Sequence, residues 1–259
     1  MVREKLVKAF EEGVVTTAGL IAHGRGECFD YIIGEKTRSF AFKAEKTAVA
    51  ALLLADHPVI SLNGNATALA VKEFIELARL VNAKIEVNLF YKSFRRIKTI
   101  ARTLEENGWT EVYGVNKNVC ATIPEISSLR CEVDSRGLYI ADTVLLSIED
   151  GDRTIVFRKM GKNVIAIDLN PFSRTSLWAS ITIVDNIIRA VPNMVSIAKT
   201  LRSEDKPRLK EILEDYSNTE TLKEAVSLIN SRLGLFALKG TFDLNVLEND
   251  GEKAYLNGR

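Results

Sequence analysis

From residue 58 onward, short apolar runs alternate with longer stretches of helical periodicity. VISLNG (59–64) reads as a strand, 66–83 as a helix, KIEVNLF (84–90) as a strand, 93–108 as a helix and EVYGV (111–115) as a strand. After a stretch at 116–140 with no clear pattern, ADTVLLSIED (141–150) predicts a strand and 152–161 a helix. Two more strands follow, Val164–Leu169 and Ile181–Val184, separated by a short helix Arg174–Ala179; another helix opens on Asp185-Asn186. At least six strands are implied. Strands joined through helices of this length need crossover connections, so the pattern predicts an α/β fold with a mainly parallel sheet covered by helices on both faces.

Three helical segments precede this series. Residues 3–12 place Leu6, Val7 and Phe10 on one face and stop at Gly13; 19–37 read as a helix interrupted by, or entered through, a special loop at His23–Glu27; 38–56 run to His57-Pro58. Beyond Asn193, residues 194–235 carry helical periodicity with many charges. They predict a helical appendage, packed on the same domain, that completes the outer layer or forms a homodimer contact. The expected division is therefore 1–193 and 194–259, with one strand-like stretch in the tail 240–259.

In an open α/β sheet, ligands bind outside the carboxyl ends of the strands, where helix N-termini favour anions. Asp168, Asn170, Ser173, Arg174, Thr175, Asp185 and Asn186 would converge on that edge, although each is also an ordinary cap or turn residue. Further polar clusters sit at His23-Gly24-Arg25-Gly26-Glu27, at Asn63-Gly64-Asn65 and at Asn88. Arg95 and Arg96 fit a solvated helix face better than an anion site. Glu149-Asp150-Gly151-Asp152-Arg153 suits either a helix cap or Mg²⁺.

Composition narrows the function. With 35 basic against 34 acidic residues there is no net field to attract nucleic acid, and the longest apolar run is too short to span a membrane. Three cysteines without a CxxC pair fit reduced thiols in a cytoplasmic protein and disfavour structural zinc. A P-loop, a dinucleotide GxGxxG after a strand and a GxSxG elbow are all absent, and the chain has only two histidines.

Six ordered stretches carry a specific resemblance: GLIAHGRGECFDYIIGEKT (19–37), PVISLNGNATAL (58–69), EVNLF (86–90), EDGDR (149–153), GKNVIAIDLNPFSRTS (161–176) and ITIVDNIIRAVP (181–192). Together they resemble the archaeal 4-phosphopantoate–β-alanine ligases, the phosphopantothenate synthetases. That resemblance implies a Rossmann-like homodimer joining 4-phosphopantoate to β-alanine at the expense of ATP, through an acyl-adenylate, on the route to coenzyme A. It further implies ATP contacts at Arg3, Arg25, Asp168, Leu169, Asn170, Arg174, Thr175, Asn186 and Ile187. From position alone, His23, Asn63, Gly64 and Asn65 are expected to meet phosphopantoate. His23 is expected as the base for the amine, Arg25 and Arg174 as charge stabilisers, and Mg²⁺ as the companion of ATP; no metal ligand is assigned. Two other readings stay open, a nucleotide-binding oxidoreductase and a non-catalytic nucleotide-sensing dimer.

Overall fold

The computed structural model describes residues 2–239; the strand-like stretch expected in the tail lies outside them. Three helices lead the chain: α1 (Val2–Glu11), α2 (Thr17–Ile33) and α3 (Ser39–Leu54). The alternating series follows as β1 (Pro58–Leu62), α4 (Gly64–Leu80), β2 (Lys84–Val87), α5 (Phe94–Glu106) and β3 (Val112–Tyr113). A hairpin of β4 (Cys120–Thr122) and β5 (Glu132–Asp134) precedes β6 (Thr143–Ser147), α6 (Gly151–Lys159), β7 (Asn163–Ile167), α7 (Arg174–Trp178) and β8 (Ile181–Ile183). Helices α8 (Ile187–Leu201), α9 (Lys206–Glu214) and α10 (Asn218–Lys239) complete the described chain.

Six strands form one sheet in the order β3-β2-β1-β6-β7-β8, and every neighbouring pair is parallel. Burial on both faces explains why the strand segments are almost wholly apolar. Ile60, Leu62, Leu145, Ile165 and Ile167 pack in one cluster with Ala48 and Leu52 of α3, Phe74 of α4 and Met194 of α8. Their neighbours Val59, Val144, Leu146, Val164 and Ala166 point the other way, onto Val156 and Phe157 of α6.

One expectation changes, and one stretch without a pattern gains a structure. Helix α2 is unbroken from Thr17 to Ile33, so His23–Glu27 is helix interior and not a loop. Thr16 caps it, Oγ1 accepting from the Gly19 N–H at 3.2 Å, and Gly34 ends it at φ +99°. The two glycines cost helix propensity of about 1 kcal/mol each, and packing of α2 against α4 and α10 outweighs that preference. The unreadable stretch 116–140 is the β4–β5 hairpin with two 3-10 turns, and it places Ile123, Ile126, Val133 and Leu138 in the α6-side cluster. Glu86 of β2 fastens it, its carboxylate accepting the N–H of Asp134 at 2.9 Å and of Leu138 at 2.6 Å. Position 193 lies within α8, which packs on α3 and α4, while α10 packs on α2 and α3. No helix among the described residues is long and apolar enough to cross a membrane.

Glu45 of α3 is fully buried. Its Oε1 accepts from Asn193 at 3.4 Å, and its Oε2 has no partner among the described residues. Burial, helped by the nearby charge of Asp185, pushes it up to about 8. A raised folded-state pKa means stability present below the ordinary value of 4.5 and lost as pH rises through about 8. Glu45→Gln, neutral throughout, is expected to melt on the order of a few degrees above the parent at pH 9. The two thermal melting curves should coincide near pH 5.

Candidate functional site

The sheet splits between β1 and β6. One half winds from β1 to β2 and β3, the other from β6 to β7 and β8, which is the switch-point arrangement that opens a crevice at the strands' carboxyl ends. A cleft of about 700 Å³ lies there, lined by α2 from one side and by the residues following β1, β2, β6, β7 and β8. Its size suits a drug-sized or nucleotide-sized ligand.

Asn63 ties the two halves together. Its Oδ1 caps α4 by accepting from the Ala66 N–H at 3.0 Å, and its Nδ2 donates to the Ser147 carbonyl at 2.7 Å at the end of β6. Asn65 donates to the Gly19 carbonyl at 2.8 Å and so clamps α2 to α4. Gly64 between them is required by contact: a Cβ there would run into the Val14 carbonyl oxygen. All three line the cleft, but both asparagine amides donate to the fold itself.

Beneath the cleft lies a buried charge network. Arg153, in the first turn of α6, donates to Asn88 Oδ1 at 2.7 Å, to Ser61 Oγ at 3.0 Å and to Glu149. Arg130, from the hairpin, pairs with Glu149 and with Asp150 at 2.7 Å, and its guanidinium lies 5.8 Å from the Phe90 ring centroid. Burial pushes Arg130 down to about 9 and Arg153 down to about 10, which leaves both charged at neutral pH. Asp150 caps α6 by accepting from the Arg153 N–H at 3.0 Å. The EDGDR segment thus serves as a cap and as counter-charge to two arginines.

On the β7–β8 side, Asp168 accepts from the Asn170 N–H at 2.9 Å and from the Ser173 hydroxyl at 2.5 Å. Burial raises it; the Ser173 and Asn170 bonds and the nearby Arg25 oppose that. Asn186 caps α8, and its Nδ2 donates to Asp30 of α2 at 2.7 Å. Arg189 bridges Asp30 at 2.5 Å and Asp185 at 2.6 Å. His23 is half-buried on α2, its Nε2 has no partner among the described residues, and burial lowers its pKa, so the imidazole is neutral at neutral pH.

Of the residues expected from sequence, His23, Arg25, Asn63, Gly64, Asn65, Asp168, Leu169, Asn170, Asn186 and Ile187 come together around this one cleft. Three do not line it. Arg174 is exposed and ion-paired with Asp152 at 2.6 Å, Thr175 is buried with its hydroxyl donating to the Glu149 carbonyl at 3.1 Å, and Arg3 is exposed against Glu27 and Tyr31. Arg96, expected on a solvated face, is half-buried and lines the cleft. Its signal was available: a basic first turn of α5 runs against the helix dipole and needs a reason. Arg130 had no such signal, because its stretch has no periodicity.

Fold and cleft together define a doubly wound, Rossmann-like α/β protein with a cleft at the switch point of its sheet. The family described as phosphopantothenate/pantothenate synthetase matches residues 40–232, and the chain belongs to that family. A 4-phosphopantoate–β-alanine ligase of Thermococcus kodakarensis is 47% identical over 247 residues, which is 95% of this chain and 94% of the relative. The ligase of the same name from Methanosarcina mazei is 47% identical over 237 residues, 92% of each chain. That of Methanospirillum hungatei is 42% identical over 232 residues, 89% of this chain and 92% of its own.

Removing one partner from a buried ion pair leaves the other charge uncompensated. Arg153→Ala is expected to cost about 3–5 kcal/mol of folding free energy, read from denaturant unfolding midpoints. A loss within the range of an ordinary surface substitution would show that Glu149 finds its counter-charge elsewhere.

Proposed function

We propose that this chain is an ATP-dependent ligase that condenses 4-phosphopantoate with β-alanine to 4′-phosphopantothenate, acting in the cytoplasm as a homodimer. What supports it most is similarity to proteins of that name along nine-tenths of the chain, through every element that lines the cleft. An oxidoreductase reading has no glycine fingerprint behind it.

In the proposed reaction a carboxylate oxygen of phosphopantoate attacks the α-phosphorus of ATP, and the bond to the leaving pyrophosphate breaks. The β-alanine nitrogen then attacks the acyl carbon, and AMP departs with that carboxylate oxygen. Such chemistry needs no protein nucleophile. It needs two anionic substrates held in contact by fixed cations, amides and helix N-termini. Several of these groups surround the cleft: the starts of α4, α6 and α8, together with Arg25 and Arg96.

For ATP we assign Arg25, Asp168, Leu169, Asn170, Asn186 and Ile187, with Arg3, Arg174 and Thr175 approaching from outside the cleft lining. Arg174 would exchange Asp152 for phosphate, and Arg25 and Arg174 would steady the charge that develops. The phosphopantoate side falls to Asn63, Gly64 and Asn65, which offer the backbone edge of α4, and to His23. Among the described residues no cluster of three acids or histidines forms a metal cage. Mg²⁺ would accompany ATP and would supply charge neutralisation at its phosphates.

We assign the neutral His23 imidazole, whose Nε2 has no partner among the described residues, to take the ammonium proton of β-alanine. Because burial lowers its pKa, the acid limb of the pH–rate profile is expected below the ordinary value of 6.5, and His23→Gln should abolish that limb. An unchanged limb in a folded His23→Gln variant would remove His23 from the proton path.

Turnover of ATP, phosphopantoate and β-alanine tests the assignment itself. With ¹⁸O in the phosphopantoate carboxylate, label is expected in AMP, with pyrophosphate as the second product. Label in orthophosphate with ADP would replace the adenylate by an acyl phosphate and leave the ligase standing.

A further inference from the structure

Of the arginines at or beneath the cleft, three have a carboxylate and two, Arg25 and Arg96, have no ion pair among the described residues; Arg25 is exposed. Arg130 has Glu149 and Asp150, Arg153 has Glu149, and Arg189 has Asp30 and Asp185. Arg96 differs. Its Nη1 donates to the Tyr91 carbonyl at 2.5 Å and its Nη2 to the Val14 carbonyl at 2.9 Å, while its buried Nε has no partner among the described residues. No carboxylate among the described residues pairs with it. Two neutral carbonyls fix the guanidinium in place without neutralising it, and half-burial removes much of the water that would otherwise screen it.

The position of that charge is also defined. An atom added at Gly64 would come within 3.1 Å of Arg96 Nη2, so the guanidinium lies beside the first residue of α4. The N–H groups of Gly64 and Asn65 belong to the unpaired first turn of α4, and neither has an acceptor among the described residues. A fixed unpaired guanidinium and two open amides meet in a cleft of ligand size. That combination suits a compact dianion with several acceptor oxygens, and it suits a planar carboxylate less well.

We propose that Arg96, with the Gly64 and Asn65 amides, seats the phosphate monoester of 4-phosphopantoate and so sets the preference for the phosphorylated over the unphosphorylated acid. This rests on the ligase reading. The seat is separate from the Asp168–Asn170 and Asn186–Ile187 edges assigned to ATP, which follow β7 and β8 on the other half of the sheet. It also orients the acid: with the phosphate at the start of α4, the carboxylate at the far end of the molecule points across the switch crevice toward the nucleotide side.

The test is steady-state kinetics of Arg96→Ala and Arg96→Lys with phosphopantoate and with pantoate, at saturating ATP and β-alanine. For Arg96→Ala the phosphopantoate KM is expected to rise on the order of tenfold to a hundredfold, with the KM for ATP within about twofold of the parent. The preference for phosphopantoate over pantoate should fall by the same factor, and Arg96→Lys, which keeps the charge, should lie between. Equal increases in both Michaelis constants, or an unchanged preference for the phosphorylated acid, would overturn the proposal and leave Arg96 as a tether for Val14 and Tyr91. Should Arg96→Ala not fold, the decision passes to Arg96→Lys by the same two ratios. Failure of the parent protein to use phosphopantoate at all would sink the ligase reading, a result distinct from any of these.

Discussion

The buried guanidinium of Arg153 is the constraint on which the ligand edge of this sheet depends. Taking a charge that size out of water costs several kcal/mol even after relaxation, so it is tolerated only where partners converge. Here they come from three strands at once: Ser61 on β1, Asn88 after β2 and Glu149 after β6. Glu149 in turn holds Arg130 of the inserted hairpin. Because β1 and β6 are the strands at which the winding reverses, the network forms the floor of the crevice. It fixes the relative height of the strand ends above it, and Asn63 completes the bracing by bonding across to Ser147.

This floor makes the site rigid without making it attractive to anions. Glu149 and Asp150 answer the charges of Arg130 and Arg153, so little net potential escapes upward. The attraction comes from groups at the rim, where helix N-termini end in unpaired amides and Arg96 meets only carbonyls. Unit charges about 4 Å apart interact by about 4 kcal/mol at an effective dielectric of about 20. A rim arginine that meets no carboxylate therefore leaves more charge facing the cleft than the two answered ones below it.

The parallel sheet was legible in the sequence because burial on both faces leaves nearly continuous apolar strands, and the crossover helices carry clear 3.6-residue periodicity. Asp168, Asn170 and Asn186 were legible as polar residues at strand ends. The hairpin at 116–140 was not, since strands of three residues, two of them exposed in β4, carry no usable period. Helix α2 misled for a different reason. His23–Glu27 has two glycines, and local propensity argues for a loop, whereas tertiary packing against α4 and α10 decides for a helix. Arg130 and Arg153 could not be ranked above other arginines, because what distinguishes them is burial, a property of the fold and not of the residue.

Continuity of α2 has a consequence for the site. A loop at His23–Glu27 would have offered its backbone amides to a ligand; a helix spends them internally and presents side chains at helical spacing instead. His23 and Gly26 fall on one face three residues apart, and both line the cleft; Asp30, four further on, receives Asn186 and Arg189. At Gly26 a Cβ would make only an ordinary van der Waals contact with Leu169, at 3.7 Å, so packing there does not require the glycine. Asn65 holds one end of the helix to α4 on the β1 side, and Asp30 holds the other to α8 on the β8 side. Helix α2 therefore spans the crevice from one half of the doubly wound sheet to the other, fastened at both ends by side chains that also border the ligand space. Asn65 and Asn186, which border the cleft, are thus also the fastenings of the helix that carries His23.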